Sequence, residues 1–386
     1  MMERNHIDIW ALIVVLALMV LSLGVVYSAS AEWAYARFEN LNHYFNLHLI
    51  KVLLSFGALL VGINVPYKIY QRFSKPLLIL SILFLMLTLI LGGESKGAVR
   101  WLRLGGLGFQ PSELAKFALL FHLATLLATK KDMVKNWKHG FVPMMIWIVI
   151  VVGLVLLQPN FSTAAMIFLL SFLLLFIGGV SVLHLGGTLL AAVPLLIGYA
   201  LLAPYRLERI RLFFYGSSNG KINYQLRQGI IAFGNGGLFG VGVGESRQRD
   251  LFLPESYNDF VYSIIGEEYG FIGTIAVLLA FAFILFRGYR IARHAKDEYG
   301  MYLAYAITST VALYAVVNAS VAVGLLPTTG LPMPFISYGG SAMLMTAFAM
   351  GVLLNISAYT DLHPRLHYKM SEEENDSKSV GVGRVY

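Results

Sequence analysis

The first apolar stretch, residues 9–28, reads IWALIVVLALMVLSLGVVYS and contains no charged side chain. About 20 apolar residues in a helix cross the hydrocarbon core of a bilayer, so this stretch predicts a membrane span. It is longer than the apolar region of a secretory signal, and more apolar runs follow it. We therefore interpret it as a membrane anchor that is retained.

The rest of the chain repeats this pattern. Of its 386 residues, 58% are hydrophobic and 13% are charged, which excludes an ordinary water-soluble domain. The predicted spans are residues 9–28, 47–65, 77–92, 112–129, 141–157, 162–178, 183–203, 260–286, 302–325 and 336–358. We predict an all-α polytopic membrane protein with about ten transmembrane helices, whose membrane domain covers residues 1–359.

Charge and cysteine content narrow the possible functions. The chain has no cysteine, which excludes disulfides, thiolate metal sites and a cysteine nucleophile. Its net charge of +8 does not indicate nucleic acid, because the basic residues flank the apolar runs. With the N-terminus in the cytoplasm, the positive-inside rule is met by Lys68, Arg72, Lys75, Lys130, Lys131, Lys135, Lys138, Arg287, Arg290, Arg293 and Lys296. Both termini are then cytoplasmic, and the polar tail, residues 360–386, is expected to be disordered.

Two long connectors on the outer side carry basic residues that this rule does not explain. Residues 93–110 lie between spans 3 and 4, and the large loop 204–259 lies between spans 7 and 8. We interpret their cations as a candidate anion site, since cations serving orientation alone are better placed inside. The residues concerned include Lys96, Arg100, Arg103, Arg206, Arg209, Arg211, Lys221, Arg227, Arg247 and Arg249.

The interior of the large loop is predicted to be structured. Residues 224–233 have helical spacing of apolar side chains, which predicts a short amphipathic helix lying at the membrane interface. The glycine-rich run 234–244 follows, but it lacks the Gly-Lys-Ser/Thr of a P-loop, so no nucleotide is expected. Its amides either approach a ligand or let a re-entrant chain turn beside packed helices.

Asp259 stands at the outer end of span 8, where it can meet a lipid-borne substrate. A carboxylate there can accept the proton of an attacking hydroxyl. The alternative is structural, because Ser256 and Asp259 have the spacing of a capping box and an acid favours the first turn of a helix.

Other charged residues are predicted inside spans. Glu267 and Glu268 lie about 12 Å further along the same helix and must face the bundle interior. Glu113 and Lys116 lie three residues apart in span 4 and can neutralise each other, either to lock helices together or to serve an active cavity. His122 is predicted to be a packed interior residue rather than a metal ligand.

Two outer connectors are predicted to line a cavity. Residues 324–341 contain three prolines and several glycines, which predicts a re-entrant, non-helical segment between spans 9 and 10. The turn Gln158-Pro159-Asn160 is short and polar. Both could form the floor of a cavity below the large loop.

These motifs together resemble the SEDS family (shape, elongation, division and sporulation), whose members include FtsW and RodA. The resemblance rests on residues 97–116, 158–164, 224–244, 253–270 and 324–341, in this order, and above all on the string PFISYGGS at 334–341. It implies a peptidoglycan glycosyltransferase that polymerises lipid II at the outer face of the bacterial cytoplasmic membrane. It also implies a class B penicillin-binding protein as transpeptidase partner, together with other divisome or elongasome membrane proteins.

The resemblance places the essential aspartate of the family on Asp259 and its Glu and Lys of span 4 on Glu113 and Lys116, with Glu267, Glu268 and Ser337 as supporting residues. Asp259 is then the expected general base. Arginines hold the leaving diphosphate through charge-assisted contacts; the candidates are Arg100, Arg103, Arg206, Arg209, Arg211, Arg247 and Arg249. A divalent cation, Mg²⁺ or Mn²⁺, is a further expectation, with Asp259 and Glu255 as ligands. Neither nucleotide nor haem is expected.

The sequence departs from the family pattern at three places. Tyr257-Asn258 replaces the usual His-Thr before the aspartate, Asn160 replaces an aspartate in the turn after span 5, and Tyr314 stands where many relatives have Gln. Asn160 is neutral, so this turn cannot supply a base.

The residues alone leave two alternatives to an enzyme. A ten-span chain with buried acids could flip lipid II or transport a solute with an ion, and it could also be a scaffold for the transpeptidase. We find no pair of similar halves, and the charged elements crowd the outer side. The sequence leaves division and elongation open, with a slight preference for the FtsW type.

Overall fold

The computed structural model describes residues 5–95, 98–104, 107–201, 211, 223–250, 252–254 and 256–362. Its helices are α1 (Ile9–Phe38), α2 (His43–Asn64), α3 (Tyr67–Leu91), α4 (Pro111–Lys130), α5 (Val142–Leu157), α6 (Phe161–Ile177), α7 (Val182–Leu201), α8 (Asn223–Gly236), α9 (Val261–Arg293), α10 (Glu298–Ala322) and α11 (Gly340–Ser357). The tail prediction lies outside the described residues, apart from 360–362.

The helices confirm the predicted membrane architecture. Among the described residues, nine helices are long and apolar enough to cross a membrane, and α6, with 17 residues, is a tenth apolar helix. Only α8 is not one of the ten predicted segments. Several helices are longer than their apolar runs, because backbone hydrogen bonding continues beyond the apolar residues: α1 reaches Phe38, and α3 starts at Tyr67. The last span starts later than predicted, at Gly340, because residues 336–339 belong to the preceding connector.

A small antiparallel sheet, which the sequence analysis did not predict, folds the connector between α3 and α4. Its strands are β1 (Gly93–Ser95), β2 (Ala98–Leu104) and β3 (Leu107–Phe109), in the order β1-β2-β3. Arg103 pairs with Gly108 across β2 and β3. The ring of Trp101 covers Gly108, where a Cβ atom would lie only 3.2 Å from it. The segment that the sequence suggested to be a basic loop is therefore a three-stranded antiparallel sheet.

Close helix packing holds the bundle together. The α2 and α11 helices meet at Gly62 and Gly351, where an added Cβ atom would lie 2.4 Å from the Phe348 carbonyl oxygen and 2.2 Å from the Leu59 carbonyl oxygen, respectively. Such small-residue contacts are how membrane helices associate without a hydrophobic driving force. At one end of the bundle, the Arg287 guanidinium lies 2.6 Å from the buried Asp8 carboxylate, which ties the start of α1 to α9.

The two ends of the bundle carry different elements. The end of the bundle that carries Asp259, the sheet and residues 323–339 is called the loop end. The sheet joins this end through Ser341, whose hydroxyl accepts from the Gln110 amide at 3.0 Å and donates to the Gly108 carbonyl at 3.2 Å. The opposite end carries the Asp8–Arg287 pair and Asn5, whose side-chain amide donates to the Thr360 carbonyl at 2.8 Å.

The predicted amphipathic helix exists as α8, but it does not follow the predicted path along the interface. It runs parallel to α9, as its contacts show. Gly229 faces Phe260 and Ser263 at the start of α9, and Phe233, one turn later in α8, packs against Tyr262 and Gly266. Burial of Ala232 against the bundle favours this path over one in the interface plane. The helix therefore leads the chain from the loop end down into the bundle.

The glycine run after α8 packs into a break in α9. Gly270 has φ +65°, which interrupts α9, and the backbone groups freed there pair with the run. The amides of Val241 and Gly242 donate to the Glu267 and Glu268 carbonyls at 2.9 and 3.2 Å. The amides of Phe271 and Ile272 donate to the Gly237 and Leu238 carbonyls at 2.9 and 3.2 Å. These pairs satisfy backbone groups at membrane depth, where each unpaired group is costly.

Glycine is required in this contact for reasons of space. Gly240 has φ +86°, and a Cβ atom there would lie 2.1 Å from the Glu268 carbonyl oxygen. A Cβ atom added at Gly236 would lie 2.0 Å from the Gly266 carbonyl oxygen. Of the two interpretations left open for this run, the structure supports a re-entrant chain beside packed helices, since the amides of Val241 and Gly242 bind α9.

Candidate functional site

Asp259 lies at the loop end, two residues before α9, with its side chain partly exposed. The buried side-chain amide of Asn318, on α10, donates to the Asp259 carbonyl at 3.0 Å and to the Leu331 carbonyl at 2.8 Å. One amide thus fixes the backbone of the acid to the connector 323–339. Gly330 faces the carboxylate itself, because a Cβ atom there would lie 3.5 Å from Asp259 Oδ2. Residue 259 is therefore partly exposed, and its backbone is fixed to the connector.

The helix α9 begins after this acid, at Val261, and neither Ser256 nor Asp259 is its N-cap residue. The Ser256 hydroxyl donates to the Ala29 carbonyl at 2.8 Å, so it anchors the segment to α1. The residue that caps α9 is Phe260, and its side chain makes no capping hydrogen bond. The Ser256–Asp259 spacing therefore does not form the predicted capping box.

The connector between α10 and α11 is non-helical and mostly buried from Leu331 to Ser337, as the prolines predicted. Phe335 is buried with φ +63°, a conformation that is strained for a bulky residue and that clusters at functional sites. The Ser337 hydroxyl accepts from the Met333 amide at 2.8 Å, and the Ser337 amide donates to the Met333 carbonyl at 3.1 Å. Ser337 thus stabilises the turn that shapes this connector.

Glu113 and Lys116 form a buried ion pair on one face of α4. Lys116 Nζ lies 2.7 Å from Glu113 Oε2, and both side chains are at most 3% exposed. The same ammonium lies 4.1 Å from the ring centroid of Tyr314 on α10. Both residues of the pair lie on α4, and the cation–π contact joins the pair to α10. Tyr314, which departs from the family pattern, therefore contacts the buried ion pair through its ring.

A small cavity separates this pair from the connector. Its lining includes Glu113, Lys116, Tyr314, Pro334, Ser337 and Thr346. The connector therefore has two sides: Gly330 faces Asp259 and Asn318 joins Leu331 to the same segment, while residues 332–335 and Ser337 line the cavity over the ion pair. Asp259, Glu113, Lys116 and Ser337 are thus brought together around one segment of chain.

Glu267 and Glu268 form a separate cluster that holds the returning loop. Glu267 accepts hydrogen bonds from Asn235 Nδ2 at 3.0 Å, from the Gln248 amide at 3.1 Å and from the Ser246 hydroxyl. Glu268 accepts from the Ser28 hydroxyl of α1. Both acids face the interior and find donors, as predicted, but their contacts stabilise residues 235–249 rather than the cavity beside Asp259.

The predicted arginines do not gather at one place in the described part of the chain. Arg100 donates to the Pro159 carbonyl at 2.6 Å, so it holds the turn before α6. Arg249 donates to the Ser28 hydroxyl at 3.0 Å and lies 3.4 Å from Asp250, which places it with the Glu268 cluster. Arg211 and Arg247 are exposed. Arg206, Arg209 and Glu255, and the side chain of Arg103, lie outside the described residues.

The described residues include no group of three His, Asp or Glu side chains that could hold a metal ion by themselves. His122 packs in the interior as predicted: its Nδ1 lies 3.3 Å from the Ser74 hydroxyl, and its ring contacts Trp147 edge-on. A cation at Asp259 would need further ligands from substrate oxygens and water, which is the usual pattern for Mg²⁺.

An aromatic cluster that the sequence did not predict lies beside Asp259. Tyr44 stacks on Tyr257 with ring centroids 4.9 Å apart, and Tyr338 packs edge-on against Tyr257 at 5.6 Å. The Tyr338 amide also donates to the Tyr257 carbonyl at 3.0 Å. Burial raises the pKa of the Tyr338 phenol to about 12, so this ring is neutral at physiological pH. The replacement of a family His by Tyr257 was the only signal for this cluster.

Comparisons with known proteins show the family of this chain. Residues 9–362 match the family model of FtsW, RodA and SpoVE, described as a cell cycle protein. The chain is 39% identical over 360 residues to the probable peptidoglycan glycosyltransferase FtsW of Trichlorobacter lovleyi, covering 92% of this chain and 94% of that one. It is 35% identical over 362 residues to the stage V sporulation protein E of Bacillus subtilis, covering 93% and 99%.

Solved structures share the fold. A chain from a structure titled "Structural coordination of polymerization and crosslinking by a peptidoglycan synthase complex" superposes with a TM-score of 0.74 at 26% identity, covering 92% of this chain and 99% of that chain. The rod shape determining protein RodA of Thermus thermophilus superposes with a TM-score of 0.68 at 26% identity, covering 91% and 96%. The matches extend over almost the whole described chain.

Proposed function

From the premise that this chain belongs to the FtsW, RodA and SpoVE family and is a cell-wall glycosyltransferase, we propose that Asp259 is its general base. The glycosyltransferase names of the relatives favour this activity over the transporter and scaffold alternatives. The observation that supports this role is the position of Asp259. The residue is partly exposed, Asn318 fixes its backbone, and its carboxylate faces Gly330, which has no side chain.

The proposed reaction joins two lipid II molecules. The 4-hydroxyl of the acceptor's N-acetylglucosamine gives its proton to the Asp259 carboxylate as its oxygen attacks the anomeric carbon of the donor. The bond between that carbon and the diphosphate oxygen breaks, and undecaprenyl diphosphate leaves with the electron pair. A partly exposed carboxylate at the end of a membrane helix can reach a sugar while the polyprenyl chain stays among the helices.

We propose the outer arginines as partners of the leaving diphosphate, because guanidinium groups form paired contacts with phosphate oxygens. The hydrogen bonds of Arg100 and Arg249 to Pro159 and Ser28 favour positioning roles for these two. The remaining candidates are Arg103, Arg206, Arg209, Arg211 and Arg247. A divalent cation, Mg²⁺ or Mn²⁺, remains a prediction; loss of polymer on chelation with EDTA would support it.

We propose that the loop end faces outwards from the bacterial cytoplasmic membrane and that both termini lie in the cytoplasm. The basic residues Arg290, Arg293 and Lys296 lie at the opposite end, as the positive-inside rule requires. The absence of native cysteine makes this testable. Asn40→Cys, in the exposed connector between α1 and α2, should react with an impermeant maleimide on intact spheroplasts. The control His294→Cys, at the opposite end, should react only after permeabilisation, and the reverse pattern would contradict the proposal.

We propose a class B penicillin-binding protein as partner, together with other divisome or elongasome membrane proteins. A similar solved chain comes from a peptidoglycan synthase complex that is described as coordinating polymerization and crosslinking. This similarity supports a transpeptidase partner.

We propose that the chain serves division, since relatives that are 36–39% identical carry the name FtsW. Depletion should then give unseptated filaments, because septal glycan would not form. Depleted cells that become round would place the chain in elongation instead.

A further inference from the structure

Lys51 is a cation inside a membrane-spanning helix that sequence reasoning did not single out. It lies on α2, within an apolar span, and its side chain is half-buried. Ionisable residues in such segments are rare, and they pair with one another or with backbone carbonyls, because the bilayer disfavours an isolated charge. In the part of the chain that the structure describes, however, no carboxylate pairs with Lys51.

The ammonium rests on an aromatic face next to the Asp259 segment. Lys51 Nζ lies 3.3 Å from the ring centroid of Tyr338. Tyr338 in turn contacts Tyr257, two residues before Asp259, through its ring and through its amide. A cation–π contact uses one side of the ammonium, so the N–H groups on its other side can donate to an acceptor. The contact therefore positions the charge without neutralising it.

The position of this charge is suited to a ligand at the loop end. A lysine side chain on a helix points towards the helix N-terminus, and α2 starts at the loop end. The stem of Lys51 also lies beside Gly340, the first residue of α11, where a Cβ atom would be 3.1 Å from Lys51 Cδ. The positive end of the α11 dipole adds to the field at the same place.

We propose that Lys51 is the cation of a subsite for a lipid-borne phosphate group, which in the proposed function is the diphosphate of the polyprenyl donor. The inference rests on that function for the identity of the lipid. It adds a binding residue on α2 to the arginines of the outer connectors. Tyr338 holds the ammonium in place, and the phosphate supplies the negative charge that the described residues do not.

The test measures lipid binding rather than activity. The full-length chain, in phosphatidylcholine nanodiscs, is titrated with undecaprenyl diphosphate and, in parallel, with uncharged undecaprenol. Lys51→Gln should weaken diphosphate binding about tenfold, which corresponds to the loss of one charge-assisted contact. Lys51→Arg should keep most of the affinity, and undecaprenol binding should not change. Lys51→Met replaces Lys51→Gln if the latter lowers the Tm.

The matched control is Lys68→Gln, which removes a lysine at the opposite end of the bundle, 3.5 Å from Asp297. It should leave diphosphate binding unchanged. Equal affinities of wild type and Lys51→Gln for undecaprenyl diphosphate would overturn the inference. A parallel titration uses phosphatidylglycerol in place of undecaprenyl diphosphate. If Lys51→Gln weakens the binding of phosphatidylglycerol but not of undecaprenyl diphosphate, the inference is also overturned, because the subsite would then bind an ordinary lipid headgroup. A wild-type chain that makes no glycan but binds diphosphate through Lys51 would contradict only the proposed function.

Discussion

Asp259→Asn should lower the rate of glycan polymerisation by about 10²–10⁴-fold, the range that a general base contributes. The asparagine has nearly the same shape but cannot accept the proton of the attacking hydroxyl. The Asn318 amide binds the backbone of residue 259 rather than its side chain, so the fold should survive the change. The measurement is gel analysis of the glycan made by the purified chain with its partner from fluorescent lipid II.

Asp250→Asn is the matched control for this variant. Asp250 is an acid of the same outer loop with a side chain 52% exposed, and it lies near Arg249. Exposed ion pairs of this kind contribute little, so its loss should change the rate less than twofold. Polymer at the wild-type rate from Asp259→Asn, or equal losses in both variants, would remove the special role of Asp259.

Lys116→Met should lower the free energy of unfolding by about 3–5 kcal/mol, because it leaves the Glu113 carboxylate buried without its partner. Both side chains of the pair are at most 3% exposed, so water cannot replace the lost contact. The same change removes the ammonium from the Tyr314 ring. Thermal unfolding of the purified chain in detergent, followed by size-exclusion chromatography, measures the effect.

The double variant Glu113→Gln with Lys116→Met removes both charges and should recover at least half of that loss, since no uncompensated charge remains. A double variant that is less stable than Lys116→Met would mean that the glutamate has another partner. Comparing the polymerisation rate of the folded double variant with that of wild type then shows whether the cavity needs these charges for activity.

The membrane architecture could be predicted because it depends on local composition. Each apolar run is long enough to define a span without reference to its neighbours. The Glu113–Lys116 contact was also predictable, since residues three apart on a helix lie on one face. The place of Asp259 at the end of a span follows from the apolar run that begins beside it. Its proposed role depended on resemblance to a family, not on spacing.

The remaining features depend on contacts between distant parts of the chain. The sequence around Gly270 predicts a continuous helix, whereas the structure has a break there. The backbone amides that the break frees bind the carbonyls of Gly237 and Leu238, more than thirty residues earlier. The same applies to Arg100, whose acceptor is the Pro159 carbonyl. The sequence identified Arg100 as a basic residue on the outer side that the positive-inside rule does not explain. It could not show that this side chain binds a neighbouring turn. Lys51 was missed because its aromatic partner lies far along the chain.

The most direct test of the central claim is rescue of Asp259→Ala by an external carboxylate. The alanine leaves space beside Gly330, and added formate can then take the proton in place of the missing side chain. We predict almost no polymer from this variant without formate and a rate that rises with formate concentration. Polymer at the wild-type rate without formate, or rescue by excess Mg²⁺ or Mn²⁺ in place of formate, would contradict the role of Asp259 as the base.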